Sequence, residues 1–212
     1  ELKNIMIANY NQYKNDFFNK LNFNFKKGKK ILDVGCGEGT DAKIFIKDYG
    51  LDFYGIDVYE DANVRKQKLN FKLGSIHKIP FGNDQFNYIF VHDVLHHIDE
   101  VNYSVRKHIK GLNELRRVCK KGGQIIIVEG NRYNPLFYPH MVKMKKHEHF
   151  VQSYFMSIIK DVFKKDDVSF KFFEAHLYPP KFLFLFKIYE YLMEHFSPKR
   201  FLAYNVGIIK KA

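Results

Sequence analysis

The stretch that decides the fold reads Ile31-Leu32-Asp33-Val34-Gly35-Cys36-Gly37-Glu38-Gly39-Thr40. Lys30 to Val34 is a short apolar run entering a glycine-rich turn, the pattern of a buried strand. Thr40 to Asp48 is helical in pattern and stops near Gly50. A strand that feeds such a turn and then a helix brings backbone N–H groups close to a ligand. The glycines at Gly35, Gly37 and Gly39 have G-x-G-x-G spacing. A dinucleotide fold wants G-x-G-x-x-G, opening a helix N-terminus towards a pyrophosphate. Here Thr40 stands at the completing position and an acid, Glu38, lies inside the turn. Neither suits a pyrophosphate.

Both features are compatible with a cofactor that is cationic at sulfur and zwitterionic in its amino-acid part. Phe53 to Ile56 reads as a second strand ending at Asp57, eighteen residues beyond Gly39. In a Rossmann-type sheet that spacing sets a carboxylate beside the first turn, where it can accept from both ribose hydroxyls. Asn70–Leu73, Asn87–Val91 and Gln124–Val128 read as further strands, and Tyr103–Cys119 as a long helix stopped by Lys120-Lys121-Gly122-Gly123. Strand and helix alternate to about residue 130, which predicts a parallel sheet covered on both faces. Leu2 to Leu21 precedes it as an amphipathic helix. Beyond residue 130 the pattern changes. Tyr133 to His147 reads as a loop or lid, Val151 to Val162 as a helix, Val168–Phe173 as a strand, Phe182–Phe196 as a helix and Ala203–Ile209 as a last strand. Phe182, Leu185, Phe186, Tyr189, Leu192, Met193 and Phe196 share one helical face, whose default reading is core. The alternative is an apolar substrate channel or a membrane-surface contact.

The chain of 212 residues is long enough to bury a substantial core. A net charge of +12 invites nucleic acid or an anionic membrane as partner, but only six of the 35 basic residues are Arg. The lysines are dispersed, as on a solvated surface, so nucleic acid is not favoured. Cys36 and Cys119 have no metal-like or redox-motif neighbours, which points to reduced thiols and a cytoplasmic location. No stretch approaches the roughly 20 apolar residues of a membrane span, so any membrane association would be peripheral. No spacing asks for a metal.

Residues 30–131 resemble the class I S-adenosylmethionine-dependent methyltransferases, in particular their type 11 group. After the glycine motif and Asp57, Gly74-Ser75-Ile76-His77-Lys78-Ile79-Pro80-Phe81 is similar to that group's Gly-Asp-Ala-x-x-Leu-Pro-Phe. Asp84-x-Phe86-Asn87-Tyr88-Ile89 is similar to Asp-x-Phe-Asp-x-Val, and Val94-Leu95-His96-His97 matches Val-Leu-His-His. Leu115 to Ile127, with Arg117-Val118 and Gly122-Gly123, resembles Arg-Val-Leu-x-Pro-Gly-Gly-x-Leu-x-Ile. The resemblance implies an α/β fold, a Rossmann-like, doubly wound, mostly parallel seven-stranded sheet with helices on both faces. It divides one domain into an N-terminal helical cap (1–28), a cofactor-binding core (29–131) and a substrate-side lid with C-terminal strands (132–212).

The cofactor implied is S-adenosylmethionine, with S-adenosylhomocysteine as product. The implied binding set is Asp33, Gly35, Cys36, Gly37, Gly39, Asp57, Val58, Ser75, Ile76, Val91 and His92. Asp33 and the Gly35–Gly37 backbone would meet the methionine moiety, Asp57 the ribose, Ser75 and Ile76 the adenine. Val91 and His92 would lie beside the methionine end. Ser75 and Asn87 each replace an Asp of the pattern. Losing one charged hydrogen bond at Ser75 would weaken binding by about 1–2 kcal/mol.

Methyl transfer needs alignment and exclusion of water, and a general base only when the acceptor must lose a proton. His92, just after strand four, and His149, in the lid, are the candidate catalytic residues; His147 is a neighbour in the lid, and His96 and His97 read as residues that start and orient a helix. Glu129-Gly130-Asn131-Arg132-Tyr133-Asn134-Pro135 resembles a Glu-Pro-Asn-Arg-x-Asn-Pro stretch of some type 11 members that act on lipids, glycans or other small molecules. A small-molecule, lipid or glycan acceptor is therefore the leading expectation. RNA methylation, from the charge, and a non-catalytic cofactor-binding protein, from Ser75 and Asn87, stand as alternatives.

Overall fold

The computed structural model describes residues 2–98, 104–144, 150–177 and 182–212, with side chains described except at 2–9, 140 and 141. Seven strands form one sheet in the order β3-β2-β1-β4-β5-β7-β6, flanked by helices. The strands are β1 (Lys30–Val34), β2 (Asp52–Asp57), β3 (Phe71–Leu73), β4 (Phe86–His92), β5 (Cys119–Gly130), β6 (Asp167–Phe173) and β7 (Tyr204–Lys210). β1 pairs in parallel with β2 and β4, β2 with β3, and β4 with β5. β7 runs antiparallel to β5, with Lys211 exchanging hydrogen bonds with Gly122 and Gly123 while Asn131 N–H donates to Ala203 C=O at 2.7 Å. The sheet is therefore mixed, as expected of a mostly parallel one.

Among the described residues six α-helices accompany it: α1 (Leu2–Leu21), α2 (Ala42–Lys47), α3 (Ala62–Lys66), α4 (Val105–Val118), α5 (Gln152–Val162) and α6 (Leu183–Phe196). α3 has no counterpart in the sequence reading. It is one turn long, started by Asp61, whose carboxylate accepts from Asn63 N–H at 2.7 Å. Tyr138–Met144, within the expected loop, winds as a π-helical turn. α4 ends at Val118, and Lys120–Gly123 bulges between the Phe86–Cys119 and Tyr88–Gln124 pairs, with Gly122 in the left-handed region at φ 70°.

The chain falls into two compact units: residues 25–129, 153–170 and 206–212 form one, and residues 1–24, 130–152 and 171–205 the other. In the first unit, Ile31, Leu32, Ile56, Ile89, Phe90, Val91 and Ile125–Val128 are sealed from solvent, which is why these strands read as unbroken apolar runs. α4 adds Leu112, Leu115 and Val118 to this core, each fully buried side chain contributing about 1.5–3 kcal/mol. Its buried His108 is satisfied by the Tyr154 hydroxyl at 2.7 Å and Leu95 C=O at 3.2 Å. Arg116 grips Asp166 through two bonds of 2.7 and 3.1 Å, tying α4 to the turn before β6.

In the second unit, Phe17 of α1 packs edge-on against Phe173 and Tyr204, and the Tyr13 and Tyr204 hydroxyls share a 2.6 Å bond. Fully buried Glu174 accepts from Asn134 and His176 at 2.8 Å and from Ala203 N–H at 2.7 Å. Asn131 donates to Arg200 C=O and Leu202 C=O. The asparagines of the Asn-Arg-Tyr-Asn stretch are thus joints of this unit. α6 corrects the sequence reading. Of its presumed core stripe only Met193 is buried, while Phe182, Leu185, Leu192 and Phe196 are exposed. The inward side holds charge instead: Lys20 of α1 meets Glu190 at 3.1 Å and Glu194 at 2.8 Å, and Lys187 meets Asp16 at 2.6 Å and Glu190 at 2.9 Å. Among the described residues no helix is long and apolar enough to cross a membrane.

Candidate functional site

The strand order reverses direction between β1 and β4, and in open α/β sheets ligands bind outside the carboxyl ends of strands at such a point. A cavity of about 500 Å³ lies there, lined by the residues that follow β1, β2, β3 and β4. The turn after β1 is locked to β2 by Gly35 N–H and Cys36 N–H, which both donate to Ile56 C=O at 2.8 and 3.1 Å. Gly35 and Gly37 have φ of 78° and 50°, conformations that cost a side chain energy. A Cβ on Gly35 would also collide with Val94 from the end of β4. At Gly37 a Cβ would meet nothing nearer than the Tyr59 hydroxyl at 3.9 Å, so the absent side chain leaves room on the cavity side.

Asp57 closes the turn. Its carboxylate accepts Gly37 N–H at 2.8 Å through one oxygen and Val58 N–H at 2.7 Å through the other. One donor per oxygen leaves further acceptor capacity on both. On the far wall, Ser75 Oγ accepts His77 N–H at 3.2 Å, curling the segment after β3 into a turn. His77 Nε2 is shut off from solvent without a hydrogen-bond partner. Ile76 is buried against Gly111 of α4, where an added Cβ would approach it to 3.3 Å.

Gly35, Gly37, Asp57, Val58, Ser75 and Ile76 of the sequence-derived set therefore line one cavity. Asp33, Cys36, Gly39, Val91 and His92 do not. Gly39 serves packing, since a Cβ there would press on Leu69 at 2.7 Å. Val91 is wholly core, and Asp33 is 4% exposed behind the turn. Cys36 lies under the turn, its Sγ 2.9 Å from where a Cβ on Gly55 would sit. Burial, then the carboxylates Asp33 and Asp57, push its thiol pKa well up. His92 turns towards Asp41, 3.4 Å away, and Asp93 Oδ2, 3.7 Å away. His147 and His149 lie outside the described residues.

Sequence reasoning missed Val34, Ile56, Tyr59, Gly74, His77, Asp93, Val94 and Ile98 as lining residues, and read His97 as helix-orienting although it too lines the cavity. Tyr59 and His77 each sit two positions past a residue that was named, which is the signal that could have found them. Burial, then Asp57, raises the Tyr59 phenol. Asp93 holds a left-handed φ of 54°, a conformation Asp tolerates better than most residues. His96 behaves as expected: Glu129, fully buried at the end of β5, accepts His96 Nδ1 at 2.7 Å together with Val94 and Leu95 N–H. Asp93, His96 and Glu129 bring ligand atoms within 4.8 Å of one another, yet these bonds commit Glu129 to capping the turn after β4. Asn87 accepts Lys30 N–H at 3.2 Å at the start of β4, outside the cavity lining.

Among the described residues no Lys or Arg lines the cavity, although the chain carries +12 overall. Two carboxylates do, Asp57 and Asp93. Such a lining repels a pyrophosphate and favours a cation. The fold and this site define a Rossmann-like protein whose cavity, at the carboxyl ends of its strands, suits a cationic ligand.

A family model described as a methyltransferase domain matches residues 25–169. The chain belongs to the class I S-adenosylmethionine-dependent methyltransferases. It is 32% identical over 140 residues to an uncharacterized methyltransferase of Schizosaccharomyces pombe, covering 58% of this chain and 46% of that one. It is 28% identical over 154 residues to a demethylmenaquinone methyltransferase of Geobacillus, covering 67% and 60%. The crystal structure of a methyltransferase from Archaeoglobus fulgidus shares the fold with a TM-score of 0.65 at 18% identity, covering 88% of each chain. The chain thus spans less than two thirds of the length of the curated relatives named here.

S-adenosylmethionine, the cofactor of this family, fits the residues present. The cavity falls in the size range of small-ligand sites. The space beside Gly37, the spare lone pairs of Asp57 and the unpartnered His77 Nε2 supply a cradle, two acceptors and a ring nitrogen for an adenine edge.

Proposed function

We propose that this chain binds S-adenosylmethionine at the carboxyl ends of β1, β2, β3 and β4 and transfers its methyl group to a small-molecule, lipid or glycan acceptor. The observation that carries the reading is the meeting of the Gly35–Gly37 turn and the Asp57 carboxylate in a cavity whose described lining holds no Lys or Arg. When bound, the cofactor supplies a methyl carbon activated by its sulfonium. The chain's own work is to hold and to orient. Gly35 and Gly37 expose backbone to the amino-acid part, and Asp57 takes the ribose hydroxyls. Ser75 and Ile76 flank adenine, and His77 Nε2 replaces part of the hydrogen bonding that an Asp at position 75 would give. Asp93 and Asp57 provide negative potential for the sulfonium. If the acceptor gives up a proton, Asp93 and His97, which line the cavity, are placed to take it, with His92 Nε2 3.7 Å behind Asp93.

A relative named for demethylmenaquinone supports a small organic acceptor over RNA. The test is calorimetric titration with S-adenosylhomocysteine, then transfer of labelled methyl to quinone, lipid, glycan and RNA acceptors. Binding with label on a small acceptor is the expected result. No binding would overturn the reading, and label entering RNA alone would move it to the RNA alternative.

A further inference from the structure

A helix packed on a soluble protein keeps its apolar face inside and its charges in water. α6 does the reverse. Its inner side carries Glu190, Glu194 and Lys187, all held in ion pairs with Lys20 and Asp16 of α1, and Glu194 also accepts Glu174 N–H at 2.9 Å. Its outer side carries Phe184 and Phe196, each 75% exposed, Leu185 at 61%, and Ile188, Tyr191 and Leu192. These recur at helical spacing and make one continuous apolar stripe. Such contiguous exposure marks an interaction site.

Charge names the partner. Glu190 is buried, and both acids of α6 are engaged by Lys20, with Glu194 also accepting Glu174 N–H, so the carboxylates of the helix are neutralised by partners. Exposed Lys199 and Arg200 follow at its C-terminal end, and the whole chain is +12. Two copies joined over this stripe would bring like charge together, whereas an anionic bilayer is complementary. The helix of fourteen residues is about 21 Å long, too short to span a bilayer but long enough to lie in its interface. We propose that α6 seats the protein on an anionic membrane surface. Its outer side chains enter the headgroup–acyl boundary, and Lys199 and Arg200 meet the anionic headgroups. The inference stands apart from methyl transfer, because docking is read without cofactor or acceptor.

The experiment is flotation of the full chain with vesicles of phosphatidylcholine alone and of phosphatidylcholine with phosphatidylglycerol, at low and high salt. Recovery with the anionic vesicles, reduced by salt, is expected. Phe184→Ser with Phe196→Ser should weaken partition at least about tenfold. Lys199→Gln and Arg200→Gln should weaken it about fivefold each. Thermal unfolding of these variants should match wild type, since the side chains are exposed. Wild type that stays unbound, or equal recovery of wild type and the Phe variant, would overturn the proposal. Concentration-dependent dimerisation without vesicle binding, abolished by the Phe substitutions, would assign the stripe to a second copy and overturn it too.

Discussion

Helices α4 and α6 are each fourteen residues long, and both have an apolar side and a charged side. α4 buries Leu112, Leu115 and Val118 and keeps Glu114 and Arg117 near its surface. α6 buries Glu190 and leaves Phe184, Leu185 and Phe196 in the open. The period of a sequence tells which residues share a face; it does not tell which face is inside. That is decided by what the neighbouring element offers. α4 lies in a unit whose sheet needs apolar cover. α6 meets α1, which offers Asp16 and Lys20, and three ion pairs between the two helices hold it the other way round.

The contrast is measurable. Leu115→Ala should lower stability by about 2–5 kcal/mol in urea denaturation, through lost burial and the cavity left behind. A loss no larger than that of a surface change would break the account of α4 as core. Next in size, Asp57→Asn should weaken S-adenosylhomocysteine binding by about 1.5–3 kcal/mol, the range for a hydrogen bond to a charged group. Phe184→Ser should leave that affinity unchanged; equal losses would mean that the two units do not divide the work as proposed.

A smaller effect separates α4's charges from those of α6. Arg117 holds Glu114 through paired 2.7 Å bonds and also donates to Ile79 and Phe81 C=O, clamping the segment that follows the cavity wall. The Arg117 guanidinium beside Glu114 holds its carboxyl below the ordinary value of 4.5, helped by Ile79 N–H. A lowered folded-state pKa gives stability that is present above pH 4.5 and lost as pH falls through the lower value. Glu114→Gln should therefore cost about 1 kcal/mol at neutral pH, with the gap to wild type closing in acid. The smallest effect belongs to α6, where Ile188→Ser should change stability by less than about 0.5 kcal/mol. A cost like that of Leu115→Ala would show that the stripe is covered.

What the sequence made legible follows the same division. β1, β2, β4 and β5 could be read because strands covered on both faces are continuous apolar runs, and the turn could be read because only glycine accepts its geometry. Asp57 was found by its distance along the chain. α3 was too short to leave a period, although Asp61 followed by a basic last turn was a usable signal. His92 was placed by its position after β4, but its ring direction depends on Asp41, fifty-one residues away, and no local pattern reports that. His77 had no separate signature within a motif already assigned to its neighbours. The burial of α6 depended on ion pairs to a helix more than 160 residues earlier, beyond the reach of any window.

Cys36 has one more consequence. A methyl sulfonium is an alkylating agent, and a protein built to hold one must keep its own nucleophiles from reacting. The thiolate is the reactive form of cysteine. Cys36 stands between two glycines of the turn, yet it is 7% exposed, tucked beneath Gly55, with Asp33 and Asp57 both disfavouring loss of its proton. The carboxylate that would recognise the ribose thus has a second effect: it helps keep the adjacent sulfur protonated. Burial first, and then the charge that builds the turn, favour the thiol form, which is the less reactive one.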